Sequence, residues 1–497
     1  MAAALARPAI TATVVLATLI QALDSTIANV ALPRMQASLG GTQQTLAWVL
    51  TSYVVAAAIS MPLTGFLAAR WGRRRVFVAS VIGFTLASVA CGLATSLAQM
   101  VAFRTLQGAF GAFLVPLSQS VLLDAWPRER HRAAMAVWGM GVMLGPILGP
   151  TLGGWLSEHH HWRWVFFINL PLGAITLAGL LALLPASPGD RTRRFDTAGF
   201  GFLALGVASL QLMLDRGESL DWFESREIVA WAVLAALGGY LYLVHALTHP
   251  EPLLTRALFA DRNFNAGLAM MFAVGTVLLA TMALLPPLLH GLGGHPIDAV
   301  GLLLAPRGVG TMAGMLTVGW YGHRVDGRAT IVVGLAIAAF ALMRMARFDA
   351  DTPTADVVTS GLLQGFGLGL VFPSLNALSF ASIAPRHRDD GASLFAMVRN
   401  LGSSIGISVV IAALARYAQA HHAELAVRID PSSLALRWAI ESGAWRIDTP
   451  EGLASIREEV ARQAITLAFQ QDFRLTAWTC IAAMPIVLLF RPVRPAA

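Results

Sequence analysis

The chain has 497 residues, 56% of them hydrophobic and 13% charged, with a mean hydropathy of +0.65. A soluble protein carries about twice that charged fraction, so a set of separately solvated cores is excluded and most apolar side chains must face lipid or one another inside a bilayer. The net charge of +7 arises from 35 basic residues, every one an arginine, set in short runs between apolar stretches; that pattern excludes a nucleic-acid-binding face and fits the loops of a polytopic membrane protein.

A membrane-crossing helix needs about 20 mostly apolar residues, and that length predicts fourteen spans. In chain order they cover residues 9–32, 46–69, 76–96, 98–122, 133–157, 163–185, 198–214, 227–247, 264–289, 298–321, 329–346, 356–382, 391–415 and 473–490. The first lacks a small-residue cleavage pattern after it and is read as a retained helix rather than a signal peptide. Cys91 and Cys480 both lie inside spans, so neither a disulfide framework nor a metal cluster is expected. With the N-terminus inside, nineteen arginines, among them Arg70, Arg73, Arg74, Arg128, Arg193 and Arg494, fall in short inner loops and termini, against five in short outer loops. The positive-inside rule therefore places both termini in the cytoplasm.

One long connection, 416–472, is expected outside the membrane. Leu425, Ile429, Leu436, Ile440 and Trp445 recur there at helical spacing, with Glu424, Arg428, Arg437 and Glu441 on other faces. Two readings stay open for it: a solvated cap, or a docking surface for a periplasmic partner.

The chain repeats itself. An offset of 257 carries Gln107, Gly108 and Pro116 onto Gln364, Gly365 and Pro373, and Gly145 and Gly149 onto Gly402 and Gly406; an offset of 254 carries Gly65, Arg70 and Arg74 onto Gly319, Arg324 and Arg328. Two homologous six-helix halves, 1–190 and 261–497, with two extra helices in 191–260 between them, account for this order. Such duplication serves alternating access about a site near the membrane midplane.

Ionisable groups within a bilayer are costly and usually functional. Inside the spans stand Asp24, Arg104, Arg307, Arg344 and Arg399, so Asp24 is expected to be the sole deep carboxylate. Burial favours the neutral form of a carboxyl group and a neighbouring guanidinium favours the charged form; a carboxylate poised between the two can take up and release a proton, which arginine cannot do near neutral pH. Asp24 is thus the candidate proton carrier and Arg104 its countercharge. Gln21 shares a helix face with Asp24, and Asn29 stands beside it. Together with Gln107, Gln119, Gln364, Asn376 and Asn400, and with Phe372 nearby, they would form a mostly apolar cavity wall with a few polar contacts, suited to bulky lipophilic substrates; Arg399 either meets an anionic substrate or ties two helices together. Gly145, Pro146, Gly149, Pro150, Gly153 and Gly154 describe a kinked helix whose bare face admits a close neighbour. His159, His160 and His161 lack companion ligands at metal-site spacing, and no catalytic constellation is present.

The segments LDSTIANVALP at 23–33, GFLAARWGRRR at 65–75, RTLQGAFGA at 104–112, GMGVMLGPILGPTLGGWL at 139–156, WRWVFFINLPLG at 162–173 and QGFGLGLVFPSLN at 364–376 resemble the major facilitator superfamily, in its fourteen-helix drug:proton antiporter branch of EmrB/QacA type. The resemblance spans nearly the whole chain. It implies proton-driven export of lipophilic compounds by an all-α, two-bundle membrane protein without a cofactor. It makes Asp24 the first-span acid, Arg104 the fourth-span motif arginine, and Gly145, Pro146, Gly149, Gly153 and Gly154 the antiporter motif. Gly65, Arg70, Gly72, Arg73 and Arg74 fall in the loop that gates the inner face, and Gly108 belongs to helix packing. At Ala69 the branch usually has an Asp, so the charge relay through that position is incomplete and Arg70, Arg73 and Arg74 depend on other acceptors, such as helix C-termini. Members with a long outer loop often work with a periplasmic adaptor and an outer-membrane channel. The competing readings are a proton-coupled importer of an organic acid on the same fold, and a membrane sensor or scaffold that transports nothing.

Overall fold

In a computed structural model, residues 2–192, 194–429, 434–441 and 445–491 are described; Arg193 and Arg494 lie outside them, as do the side chains of Arg428 and Leu436. The helices are α1 (Ala2–Leu39), α2 (Gln43–Ser60), α3 (Leu63–Trp71), α4 (Arg73–Leu93), α5 (Leu97–Gly111), α6 (Leu114–Ala125), α7 (His131–His159), α8 (Trp164–Phe167), α9 (Asn169–Leu183), α10 (Thr197–Arg216) and α11 (Arg226–Thr248), followed by α12 (Arg256–Ala260), α13 (Arg262–Pro287), α14 (Ile297–Tyr321), α15 (Gly327–Met345), α16 (Thr354–Phe380), α17 (Arg388–Arg428), α18 (Leu434–Glu441) and α19 (Pro450–Ala483). Among the described residues, thirteen stretches are long and apolar enough to cross a membrane, and the bent pair α2–α3, broken by 56°, makes a fourteenth. The break falls at Met61-Pro62, where proline lacks the backbone donor that would continue the helix.

The packing of the first half recurs in the second. α1 lies against α7, α2 against α5, and α4 against α5 and α9; correspondingly α13 lies against α17, α14 against α16, and α15 against α16 and α19. Glycines carry the tightest of these approaches: a side chain at Gly108 would collide with the carbonyl of Tyr53, and one at Gly365, its repeat partner, with the carbonyl of Arg307. Between the halves, α10 and α11 pair with each other, and α10 also touches both α2 and α17. At the start of α10, the buried Asp196 carboxylate caps the helix by accepting from Gly199 N (2.8 Å), and it further accepts from Leu253 N (3.0 Å) and His245 Nε2 (2.8 Å), which ties the two extra helices and the following loop into one corner.

The structure gives one expected segment its form and corrects one expectation. The connection 416–472 is largely a continuation of its flanking helices: α17 runs on to Arg428 and α19 begins at Pro450. A helix whose polar face is solvated does not stop where hydropathy falls. For the same reason Asp472, one residue before the predicted last span, sits within α19 and is wholly buried, so Asp24 is not the sole deep carboxylate.

Candidate functional site: a carboxylate held by three helices

Asp24 is 0% exposed on α1. Arg104 Nη1 on α5 donates to its Oδ2 at 2.8 Å, Gln107 Nε2 one turn along donates to Oδ1 at 2.8 Å, and Asn169 Nδ2 at the start of α9 donates to Oδ1 at 2.9 Å. The spacing of three between Arg104 and Gln107 places both on one face of α5. Arg104 also donates from Nε to the carbonyl of Val49 and lies over the ring of Tyr53, 4.2 Å from its centroid; Gln21 Nε2 in turn meets the Tyr53 hydroxyl at 3.4 Å. Asn169 is steadied by Ser88, whose hydroxyl accepts its second amide hydrogen at 2.9 Å while donating to the carbonyl of Phe166. A charge wholly removed from water is tolerable only when paired and fully hydrogen-bonded, and this carboxylate has one cation and two amides.

Of the residues singled out in the sequence, the structure gathers Asp24, Arg104 and Gln107 into one group with Gln21 at its edge. Asn29 is exposed on α1, away from that group. Gln364 is buried in the other half and donates to Thr281 Oγ1 at 2.8 Å. Arg399 is half-buried, with its guanidinium toward Asn400 at 3.5 Å. Phe372 stacks on Trp138 across the interface between halves, their centroids 6.0 Å apart, and Asn376 accepts from Gln119 beside them. Sequence reading did not single out Tyr53, Ser88 or Asn169. Asn169 is the lone amide of its span and lies within a motif segment, a signal that could have found it; the contacts of Tyr53 and Ser88 exist only in three dimensions.

The halves are joined on the face that carries the termini. Arg73, at the start of α4, pairs with Asp389 at 2.9 Å and with Asp124, and Arg388 pairs with Asp124 as well. Arg74 reaches the carbonyl of Leu181 in the last turn of α9 at 2.5 Å, and Arg70 lies over Phe66. The acid missing at Ala69 is thus replaced for Arg73 by two acids from other helices. Gly65 gives its space to the Asp390 carboxylate, Gly72 turns the chain at φ +88° beneath the carbonyl of Ser187, Ser393 donates to the carbonyl of Met61 at 2.6 Å, and Arg132 donates to the carbonyls of Gly322 and Val325. Along α7, side chains at Gly145, Gly149 and Gly153 would strike α1, while one at Gly154 would make only ordinary contact with Val30 at 3.9 Å; Pro146 and Pro150 stand between them. This conformation is sealed on the terminal face.

Comparison with known proteins agrees with that geometry. Residues 14–407 match the Major Facilitator Superfamily. The chain is 34% identical over 482 residues to the multidrug export protein EmrB of Escherichia coli K12, covering 96% of this chain and 94% of that one. It is 34% identical over 480 residues to the fatty acid resistance protein FarB of Neisseria gonorrhoeae, with the same coverage. Among solved structures, the human organic anion transporter MFSD10 superposes with a TM-score of 0.62 at 15% identity over 97% of this chain and 99% of its own, and the proton:xylose symporter XylE with 0.59 at 13% over 95% and 94%. The chain belongs to the major facilitator superfamily, in its EmrB-type branch.

Proposed function

We propose that the protein is a proton-coupled antiporter that exports lipophilic drugs or toxic organic compounds by alternating access, with Asp24 as proton carrier and Arg104 as its countercharge. The observation that carries this reading is the Asp24 group: a buried carboxylate at mid-helix depth, shared by α1, α5 and α9, whose single cation can hold it charged or yield it to a proton as the surrounding helices shift. The names of relatives such as EmrB and FarB support the substrate class. The terminal face, richer in arginine, is the cytoplasmic one, which makes the present conformation the one closed to the cytoplasm, in a bacterial inner membrane. Residues 1–190 and 261–497 are the two moving bundles and 191–260 the helices inserted between them. Gln21, Asn29, Gln107, Gln364, Phe372, Asn376 and Arg399 are the substrate-contact candidates over the cycle. No cofactor takes part, the proton gradient being the energy source, and the parts of α17 and α19 that project from the outer face receive a periplasmic adaptor.

The test is reconstitution in liposomes with a lipophilic cationic dye, with and without an imposed pH gradient, for wild type and Asp24→Asn. Gradient-driven dye movement by the wild type that is lost in the variant is the expected result. An Asp24→Asn protein that still moves dye uphill with unchanged pH dependence would overturn it.

A further inference from the structure

The second half carries a rearranged counterpart of the Asp24 site. Gln107 donates to Asp24 and Gln364, its repeat partner, donates to Thr281, and the sequence separation is 83 in both cases. Thr281 therefore occupies in the second half the place that Asp24 occupies in the first. A hydroxyl there cannot carry a proton near neutral pH, so on this helix the site has lost its acid.

An acid reappears on the neighbouring helix. An offset of 303 carries Asn169 onto Asp472, Leu172 onto Leu475, Ala174 onto Ala477 and Thr176 onto Thr479. The packing supports the correspondence of the two helices: α9 lies against α1 and α4, and α19 lies against α13 and α15 as well as against the long α17. α19 is pinned at both ends of the stretch, where Gln470 donates to the carbonyl of Phe348 after α15 and Arg262 at the start of α13 donates to the carbonyl of Leu489. Asp472 thus stands where Asn169 reaches toward Asp24 in the first half.

Its surroundings differ from those of Asp24 in one respect. Asp472 is 0% exposed, and among the described residues neither carboxylate oxygen has a hydrogen-bond partner. Among the described residues, the arginines and histidines near Asp472 on the elements packed against the outer part of α19, and on α19 itself, are otherwise engaged or exposed: Arg344 pairs with Asp356, His421 with Gln471, His290 with the carbonyl of His295, and Arg399 reaches Asn400, while Arg347, Arg416, His422 and Arg474 are exposed. An ionised carboxylate with neither donor nor counter-cation forfeits its hydration for nothing, whereas the neutral acid does not.

We propose that Asp472 is a second proton-binding carboxylate, so that each half of the transporter holds one, on α1 in the first half and on α19 in the second. This rests on the proton-coupled reading above and extends it from one proton-binding group to two, the second released when movement of the second half admits water or a cation to α19.

The test uses the full-length protein in two ways. Infrared difference spectra between acidic and alkaline pH are recorded for Asp24→Asn, with and without Asp472→Asn, and with Asp472→Glu as the conservative replacement. The expected result is a protonated-carboxyl carbonyl band in Asp24→Asn that gives way to carboxylate as pH rises, is absent once Asp472→Asn is added, and returns at a shifted position with Asp472→Glu. In liposomes, the number of protons counted per dye molecule falls by half in Asp472→Asn relative to wild type. A band unchanged by Asp472→Asn, a band that never responds to pH, or an unaltered proton count overturns the proposal. Absence of any proton-coupled dye movement by the wild type defeats the antiport reading instead, and the infrared result still decides whether Asp472 binds an exchangeable proton.

Discussion

Gln119 on α6 donates its amide hydrogen to Oδ1 of Asn376 on α16, and the two residues are 257 positions apart, the offset that relates the halves. Equivalent positions of a duplicated chain can meet only where the two halves face each other across their pseudo-two-fold axis. This bond, beside the stacked Trp138 and Phe372, marks where the interface between halves closes on the terminal side.

Replacing Gln119 with Leu removes one buried hydrogen bond of that closed state and leaves the Asn376 Oδ1 without its donor. The expected cost to the closed conformation is about 1 kcal/mol, roughly a fivefold shift toward opening on the terminal face. Spin labels on cysteines introduced at Trp71 and Arg324, on that face of either half, would report it as a larger share of long distances. The native Cys91 and Cys480 are buried. An unchanged distribution refutes the latch.

The Asp24–Arg104 pair should behave non-additively. Removing one partner, as in Arg104→Met, leaves a buried carboxylate without its cation and should cost about 3–5 kcal/mol, whereas Asp24→Asn combined with Arg104→Met should recover most of that loss. Thermal unfolding of the three proteins in one detergent checks it, and equal midpoints for the single Arg104→Met variant and the double variant count against the pairing described.

The glycines of α7 are not equivalent. A Cβ at Gly145 would lie 2.5 Å from the backbone of Ala22, where nothing flexible can yield, but one at Gly154 finds its nearest neighbour 3.9 Å away. Gly145→Ala should therefore force α1 from α7 and cost about 1–3 kcal/mol, with loss of transport, while Gly154→Ala should be neutral or slightly stabilising. Parallel measurements of thermal midpoint and dye efflux separate the two.

Asp196 gives a pH prediction. Burial disfavours its charged form, but the donors Gly199 N, His245 and Leu253 N prevail and hold the carboxyl below its ordinary value of 3.8. A carboxyl group that is more acidic in the folded chain contributes stability that is complete above the unfolded value and lost as pH falls through the folded one. Asp196→Ala should lower the thermal midpoint by an amount corresponding to about 1–2 kcal/mol above pH 5, and the gap to wild type should close below 3.8. A gap that stays constant to the lowest pH at which the wild type folds would assign it to packing.

Much of this was legible in the sequence. Hydropathy placed the helices and repeat arithmetic paired the halves; Asp24, Arg104 and Gln107 stood out because a polar group in an apolar span has few reasons to be there. The acceptors of Arg73 were not legible, because Asp124 and Asp389 reach it from helices distant in sequence, and only packing brings them together. Asp472 escaped for a different reason. Polar residues on the solvated upper turns of α19 lower the average hydropathy just where the helix enters the core, so a window drawn on composition ended one residue short of it.

The length of α17 carries a mechanical consequence. Its 41 residues extend about 60 Å at about 1.5 Å each, roughly twice the hydrocarbon thickness of a bilayer, so it is a rigid lever with its fulcrum in the membrane. A small rotation of the second half becomes a sweep of several ångströms at the tip, and anything seated on that tip would be pushed and released once in every transport cycle.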